Sequence, residues 1–288
     1  MPIALIFLLI ALCLIGFIIV MVHVGFRAPR IRESGTPAQF RLKYQEVDIP
    51  GVKGTHLFGW FLPLENADKT IILLHGWGGN AEMMLPLAKP FIDTGINVLL
   101  FDSRNHGRSD RGAVSSMPRF AEDMDSAIDW LKTHHPEHSH NIALLGHSVG
   151  AGAVLLAASR RDDIAAVISV SAFAHPNRMM RRYLAGKKIP RVMISAILRY
   201  VEWVIGARFE HIAPVNTVCK IHCPVLLVHG KADTTVPVED ARDILKNCPK
   251  PHIRLVEIDD AEHDSVDMIE RHAHQLIDFL QKKGFKRK

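Results

Sequence analysis

Three polar residues of complementary chemistry stand just after apolar runs. Ser148 follows "IALLGH", Asp233 follows "VLLVHGKA" and His263 follows "LVEIDDAE". A serine hydroxyl is a poor nucleophile until a base accepts its proton. The base in turn needs an acid to hold its tautomer and stabilise its charge. Ser148, His263 and Asp233 can fill these three roles. Asp259, Asp260 and Asp264 are rivals for the acid, but immediate sequence neighbours seldom reach an imidazole in line, which favours Asp233.

The surroundings of the serine are also unusual. In Gly146-His147-Ser148-Val149-Gly150 it lies between glycines, and Ala151, Gly152 and Ala153 follow. A serine that only caps a helix needs no such neighbours. A serine on a sharp strand-to-helix turn does, because bulky side chains would collide there.

The elements that could hold these residues recur in a regular rhythm. "FRLKYQEVDI" and "THLFGWFLPL" read as neighbouring strands. "TIILLHG", "INVLLFD", "NIALLG", "IAAVISVSA", "PVLLVHG" and "HIRLVEI" are short apolar runs of strand type. Helical stretches separate them: "NAEMMLPLAKPFID", "FAEDMDSAIDWLKTHH", "VGAGAVLLAASR", one from about Val238 and one from about Ser265 to Lys282. Continuous apolar strands alternating with helices predict a mainly parallel central sheet with helices on both faces, an α/β fold. Such sheets carry their sites at the carboxyl ends of the strands, where Ser148, Asp233 and His263 fall.

The ordered set "HGWGGN", "DSRNHGRSD", "GHSVG", "HGKADTTVP" and "DDAEHD" resembles the α/β-hydrolases, in particular their membrane-anchored esterase, lipase and thioesterase-like branch. The likeness runs from about residue 40 to 283. It implies an oxyanion hole made by the backbone N–H groups of Trp77, after His75-Gly76, and Val149. It also implies that Asp102, His106 and Ser109 are structural; Arg104-Asn105 stands where the family more often has Arg-Gly. Relatives with haloalkane dehalogenase or epoxide hydrolase chemistry carry an aspartate at the position of Ser148, which disfavours those reactions.

Residues 2–22 carry no charge and would span about 30 Å as a helix, the hydrocarbon thickness of a bilayer. Arg27, Arg30 and Arg32 follow, so the positive-inside rule puts the rest of the chain in the cytoplasm. The expected organisation is an anchor over 1–26 and a hydrolase domain over 27–288, with a helical lid insert at about 174–211. The insert carries eight Lys or Arg against two Glu, a balance of +6, while the whole chain has +5. Arg191, Ser195, Arg199 and Glu202 form a polar stripe at helical spacing; Met193, Ile194, Ile197, Leu198, Val201, Val204 and Ile205 fill the other side. Such a lid could touch anionic lipid, with weak support from the tail "KKGFKRK".

The remaining signals are bland. Cys13, Cys219, Cys223 and Cys248 are scattered and read as thiols of a reducing compartment. The "THHPEHSH" histidines read as a solvated loop, and His75, His147 and His229 as packing and hydrogen-bonding residues around the site, not alternative bases. No long basic stripe suggests nucleic acid. The expectation is a single-pass serine hydrolase that cleaves an acyl ester or thioester through an acyl-enzyme, without metal or organic cofactor. Its rivals are a serine peptidase or amidase, and a catalytically silent membrane-tethered scaffold. Oligomeric state stays open.

Overall fold

A computed structural model describes residues 3–187, 189–265 and 270–282. Pro2, Lys188, residues 266–269 of the expected last helix and the tail beyond Lys282 lie outside the described residues.

Eight strands form one sheet in the order β1-β2-β4-β3-β5-β6-β7-β8. They are β1 (Gln45–Pro50), β2 (His56–Leu62), β3 (Lys69–Leu74), β4 (Asn97–Phe101), β5 (Asn141–His147), β6 (Ala166–Val170), β7 (Val225–Gly230) and β8 (Ile253–Ile258). β2 runs antiparallel to β1 and β4, and the other pairs are parallel. This is the α/β-hydrolase architecture. β3, β4, β6 and β7 are buried along their whole length. Both faces are covered, so neither can be polar.

Alternate side chains feed two cores. Ile72 and Leu74 join Phe61, Leu99, Phe101 and Leu144 on one face, under α3 (Met117–His134) and α4 (Val149–Ala158). Ile71 and Leu73 join Trp60, Leu62, Val98 and Leu100 on the other, under α2 (Leu85–Asp93) and α10 (Ala273–Lys282). α9 (Val238–Asn247) sends Ile244 into the first core.

Three expected elements shift. The first strand begins only at Gln45, because Pro37–Phe40 form a 3-10 turn closed by Arg41 in the left-handed region (φ 57°). The first helix after the sheet begins as a 3-10 turn, Ala81–Met84, and becomes α-helical where Pro86 fits the first turn. The third starts three residues early, at Met117.

The N-terminal helix α1 (Ile3–Gly25) has 23 residues, and its most apolar stretch is uncovered by protein. The insert after β6 holds α5 (Pro176–Ala185), α6 (Arg191–Ile205), α7 (Phe209–Ile212) and α8 (Pro214–Thr217). α6 turns its apolar face inward: Ile194, Leu198, Val201 and Ile205 are buried in the first core. The broad apolar side read from the sequence is therefore used in packing.

Two bland readings need correction. Cys219 and Cys248 are a disulfide, with Cα atoms 5.5 Å apart, while Cys13 and Cys223 are free. The link joins the segment before β7 to the end of α9. The "THHPEHSH" loop is not simply solvated: His135 packs on Phe61 with ring centroids 4.5 Å apart, and the His138 ring is hydrogen-bonded to the Ala67 carbonyl. It does lie at the opposite edge of the sheet from Ser148.

A bond across a sequence separation of 29 constrains the unfolded chain by about 3–4 kcal/mol of loop-closure entropy. Cys248→Ser should therefore lower the urea-unfolding free energy of the oxidised protein by about that amount. Equal stability of the variant and the oxidised parent would show that the bond adds nothing.

Candidate active site

Ser148 sits in the turn from β5 to α4 with φ 55° and ψ −115°. A non-glycine residue held there costs about 1–3 kcal/mol, so the surroundings must enforce it. They do so by close approach. A methyl group on Gly150 would run into the carbonyls of Leu74 and His75, and one on Gly146 into the Gly150 carbonyl. Every residue of α4 is buried. The Ser148 N–H donates to the Val170 carbonyl at 2.9 Å, tying the turn to β6.

His263 lies in the loop after β8. Its Nε2 is 2.9 Å from Ser148 Oγ, and its Nδ1 is 2.7 Å from Asp233 Oδ2. The Asp233 carboxylate is fixed in turn. Its Oδ1 accepts from the N–H groups of Thr235 (2.9 Å) and Val236 (2.7 Å), and His229 Nε2 lies 3.4 Å from Oδ2. Burial alone would raise this carboxyl. The hydrogen bonds from His229, His263 and Val236 outweigh it and hold the group well below the usual carboxylate range. A permanently ionised Asp233 favours the tautomer of His263 with the proton on Nδ1, leaving Nε2 free to accept from Ser148.

The rival acids are elsewhere. Asp259 pairs with Lys231 at 2.7 Å on the surface, and Asp260 occupies a left-handed turn position (φ 57°). Asp264 lies beside His263 and His147; ligand atoms of the three come within 4.8 Å of one another. Both ring nitrogens of His263 are already engaged, and His147 Nε2 donates to the His263 carbonyl at 2.8 Å. That bond makes His147 a clamp on the histidine loop, which gives the expected hydrogen-bonding residue beside Ser148 its partner.

Gly76 abuts the serine: a methyl there would come 3.1 Å from Ser148 Cβ. The backbone N–H groups of Trp77 and Val149 have no acceptor among the described residues. Val149 N–H is the free first donor of α4, where a helix attracts negative charge. The loop behind is braced by buried polar contacts. His75 Nδ1 donates to the Gly76 carbonyl at 2.7 Å, and its Nε2 accepts from Ser103 N–H at 3.1 Å. Asp102 accepts from Ala81 N–H (2.8 Å) and Arg108 N–H (2.7 Å), and Ser109 Oγ donates to the Asp102 carbonyl (2.7 Å). Asp123 holds Ser103 and Arg104 in the same loop, a support that no motif signalled.

Another unforeseen part is the segment after α1. The Phe26 ring packs edge-on against Trp77, with centroids 6.5 Å apart. Arg30 donates to the carbonyls of Gly107 (2.8 Å) and Ser109 (2.5 Å), and Asn80 to the Ile31 carbonyl (3.1 Å). Ser34 N–H donates to Glu82 at 2.7 Å. Residues 26–34 thus lie across the loops at the carboxyl ends of β3 and β4.

Fold and site geometry together define an α/β-hydrolase. Residues 65–216 match the serine aminopeptidase S33 family, and the chain belongs to it. Among relatives, YfhR of Escherichia coli is 29% identical over 248 residues, covering 82% of this chain and 80% of its own. YqkD of Bacillus subtilis is 26% identical, covering 79% and 75%. The esterase Pf2001 of Pyrococcus furiosus superposes with a TM-score of 0.72 at 27% identity, over 90% of this chain and 97% of that one. Est1E of Butyrivibrio proteoclasticus, solved with ferulic acid, shares the fold at a TM-score of 0.61 and 21% identity. The chain is a hydrolase of this class.

Burial pushes His75 down to about 3, so it is neutral at ordinary pH, with its proton on Nδ1. Long-range nitrogen–proton histidine spectra should show this one tautomer unchanged from about pH 8 to about pH 5. Protonation of His75 within that range would contradict the buried hydrogen-bond arrangement.

Proposed function

We propose that this chain is a membrane-anchored serine hydrolase that cleaves a carboxylic ester or thioester through an acyl-enzyme. The observation that carries the reading is the unbroken chain from Ser148 Oγ through His263 to Asp233, with links of 2.9 and 2.7 Å. In this mechanism Ser148 Oγ attacks the substrate carbonyl as His263 Nε2 takes its proton. The oxyanion rests on the N–H groups of Val149 and Trp77. His263 returns the proton to the departing alcohol or thiol. Water, deprotonated by the same nitrogen, then releases the acid and restores Ser148. Asp233 stabilises the transient imidazolium throughout. The likeness to the Pyrococcus furiosus esterase, at 27% identity, supports ester chemistry.

A second reading takes an amide substrate, in keeping with the aminopeptidase name of the family. A cavity of about 260 Å³ beside His263 is lined by Glu262 and Asp264, two carboxylates that could receive a peptide's free ammonium group. Parallel assays with acyl esters, acyl thioesters and aminoacyl amides decide between the two. Faster amide than ester turnover would favour the peptidase.

Ser148→Ala should abolish labelling by a fluorophosphonate probe while leaving the fold intact. Ser148→Ala and His263→Ala should each lower ester turnover by about 10⁶, and Asp233→Asn by about 10⁴. Labelling that survives the serine change, or a silent Asp233→Asn, would refute the assignment.

The anchor in this proposal is α1, whose 23 residues are enough to cross a bilayer. The arginines after it favour a cytoplasmic domain in this reading. The protein should then sediment with membranes in high salt, and external protease should leave the domain intact. Release by salt or by cleavage after α1 would mark a signal sequence instead. Digestion from outside, which the Cys219–Cys248 bond would suit, would reverse the topology.

The insert is read as a lid with a surface for anionic lipid. Much of its charge has another use. Arg182 grips Asp240 of α9 with both nitrogens, and Arg178 pairs with Asp243. Arg199 and Arg208 lie within 4.0 Å of Glu202. Arg181, Lys187 and Arg191 have no carboxylate partner among the described residues, and carry the lipid-facing charge in this reading.

A further inference from the structure

α1 leaves the domain at one particular place. Val22 is buried in the first core, and His23 Nε2 lies 3.2 Å from the Tyr200 hydroxyl of α6. One turn on, Phe26 meets Trp77, whose N–H is a donor in the proposed oxyanion hole. The Phe26 carbonyl accepts from Ser115 N–H at 3.0 Å, in the loop after β4. Every contact of residues 22–34 named above is therefore with α6 or with loops at the edge of the sheet that carries Ser148. The end of α1 and the mouth of the site are neighbours.

Large apolar groups are uncovered beside that point. Trp203 stacks on Tyr200 with centroids 5.6 Å apart, yet is 74% exposed. Val192 of the same helix is 83% exposed and Tyr183 of α5 is 69% exposed. Unlike the face that packs inward, these side chains stay mostly uncovered among the described residues, apart from the Tyr200 stack and Lys187 Nζ 5.6 Å over the Tyr183 ring. Tryptophan and tyrosine at the level of a helix end are the residues that favour the headgroup layer, one side apolar and one end polar. Arg181 on α5, Arg191 on α6 and Lys187 in the turn after α5 suit the phosphate layer.

Resting on the anchored serine-hydrolase reading, we propose that the carboxyl edge of the sheet faces the bilayer surface from which α1 emerges. Trp203, Val192 and Tyr183 seat among the lipid headgroups, and the site takes a long-chain acyl ester directly from that leaflet. Two observations favour a bilayer as the partner of this surface. The patch is continuous with the end of a helix long and apolar enough to cross one. Its chemistry, aromatic and aliphatic beside unpaired cations, matches an interface of lipid and water.

The test uses the full chain in phosphatidylcholine vesicles whose acyl chains carry bromine, a tryptophan quencher. Trp60 and Trp130 are buried in the two cores and report little. Quenching should be strong, and Trp203→Phe should remove about half of it or more, Trp77 carrying the rest. Quenching unchanged by that substitution would overturn the proposal; so would protection of Trp203 by a second copy or a partner protein. Hydrolysis gives an independent reading. Trp203→Ser with Val192→Asp should cut turnover of a long-chain ester embedded in the vesicles by about tenfold. A soluble short-chain ester should turn over at the unaltered rate. Equal loss on both substrates, or loss on neither, would overturn the proposal. If the parent protein fails on the soluble ester, the hydrolase reading falls instead, and the quenching still reports how the domain faces the bilayer.

Discussion

The distance between α4 and the sheet governs the rest of the site. A helix that begins within one residue of a strand must pass close to the carbonyls of the neighbouring strand. Here those are the carbonyls of Leu74 and His75, and only a residue without Cβ fits against them. Gly150 meets that requirement on the helix side and Gly146 on the strand side. The reversal then leaves Ser148 in the left-handed region, its hydroxyl projected from the edge of the sheet toward His263. A wider turn would relax the backbone and lose the hydrogen bond.

The second constraint is polar. Asp233 is nearly enclosed, and such a carboxylate is tolerated only with its oxygens saturated. Two backbone N–H groups and His263 supply the donors, and His229, whose Nε2 is bonded to the Val236 carbonyl at 2.7 Å, lies close by. The same logic appears on the other side of the serine, where His75, Asp102 and Asp123 each tie a loop to its neighbour. The loops that carry the site are thus cross-braced by buried polar groups, and do not need secondary structure of their own.

Much of this was legible in the sequence. Parallel strands buried on both faces are unbroken apolar runs, so a polar residue just past one stands out. Ser148, Asp233 and His263 were visible for that reason, and the glycines around Ser148 because few other contexts require them. Asp233 could be preferred over Asp259 and Asp260 only by reach; Lys231 and a turn occupy the latter two. What escaped notice depends on contacts between distant residues with no periodicity. Arg30 with Gly107 and Ser109, Arg182 with Asp240, and Cys219 with Cys248 belong to that class. Charge counting over the insert was misleading for a related reason: it cannot see that several arginines are answered by acids on α9 or by Glu202.

The docked path of residues 26–34 bears on motion. A flexible tether of nine residues has a root-mean-square span of about 15–18 Å, enough to let a domain swing freely below its attachment. In this chain that slack has been taken up, by Arg30, by Ile31 through Asn80 and by Ser34 through Glu82. Rotation about the helix axis and tilt away from it would each have to break those bonds. Held at α1, the domain cannot tumble like a tethered ball. Its orientation is inherited from the helix; were α1 to span a bilayer as proposed, any search for a second molecule would become a problem of drift in two dimensions with one fixed face leading.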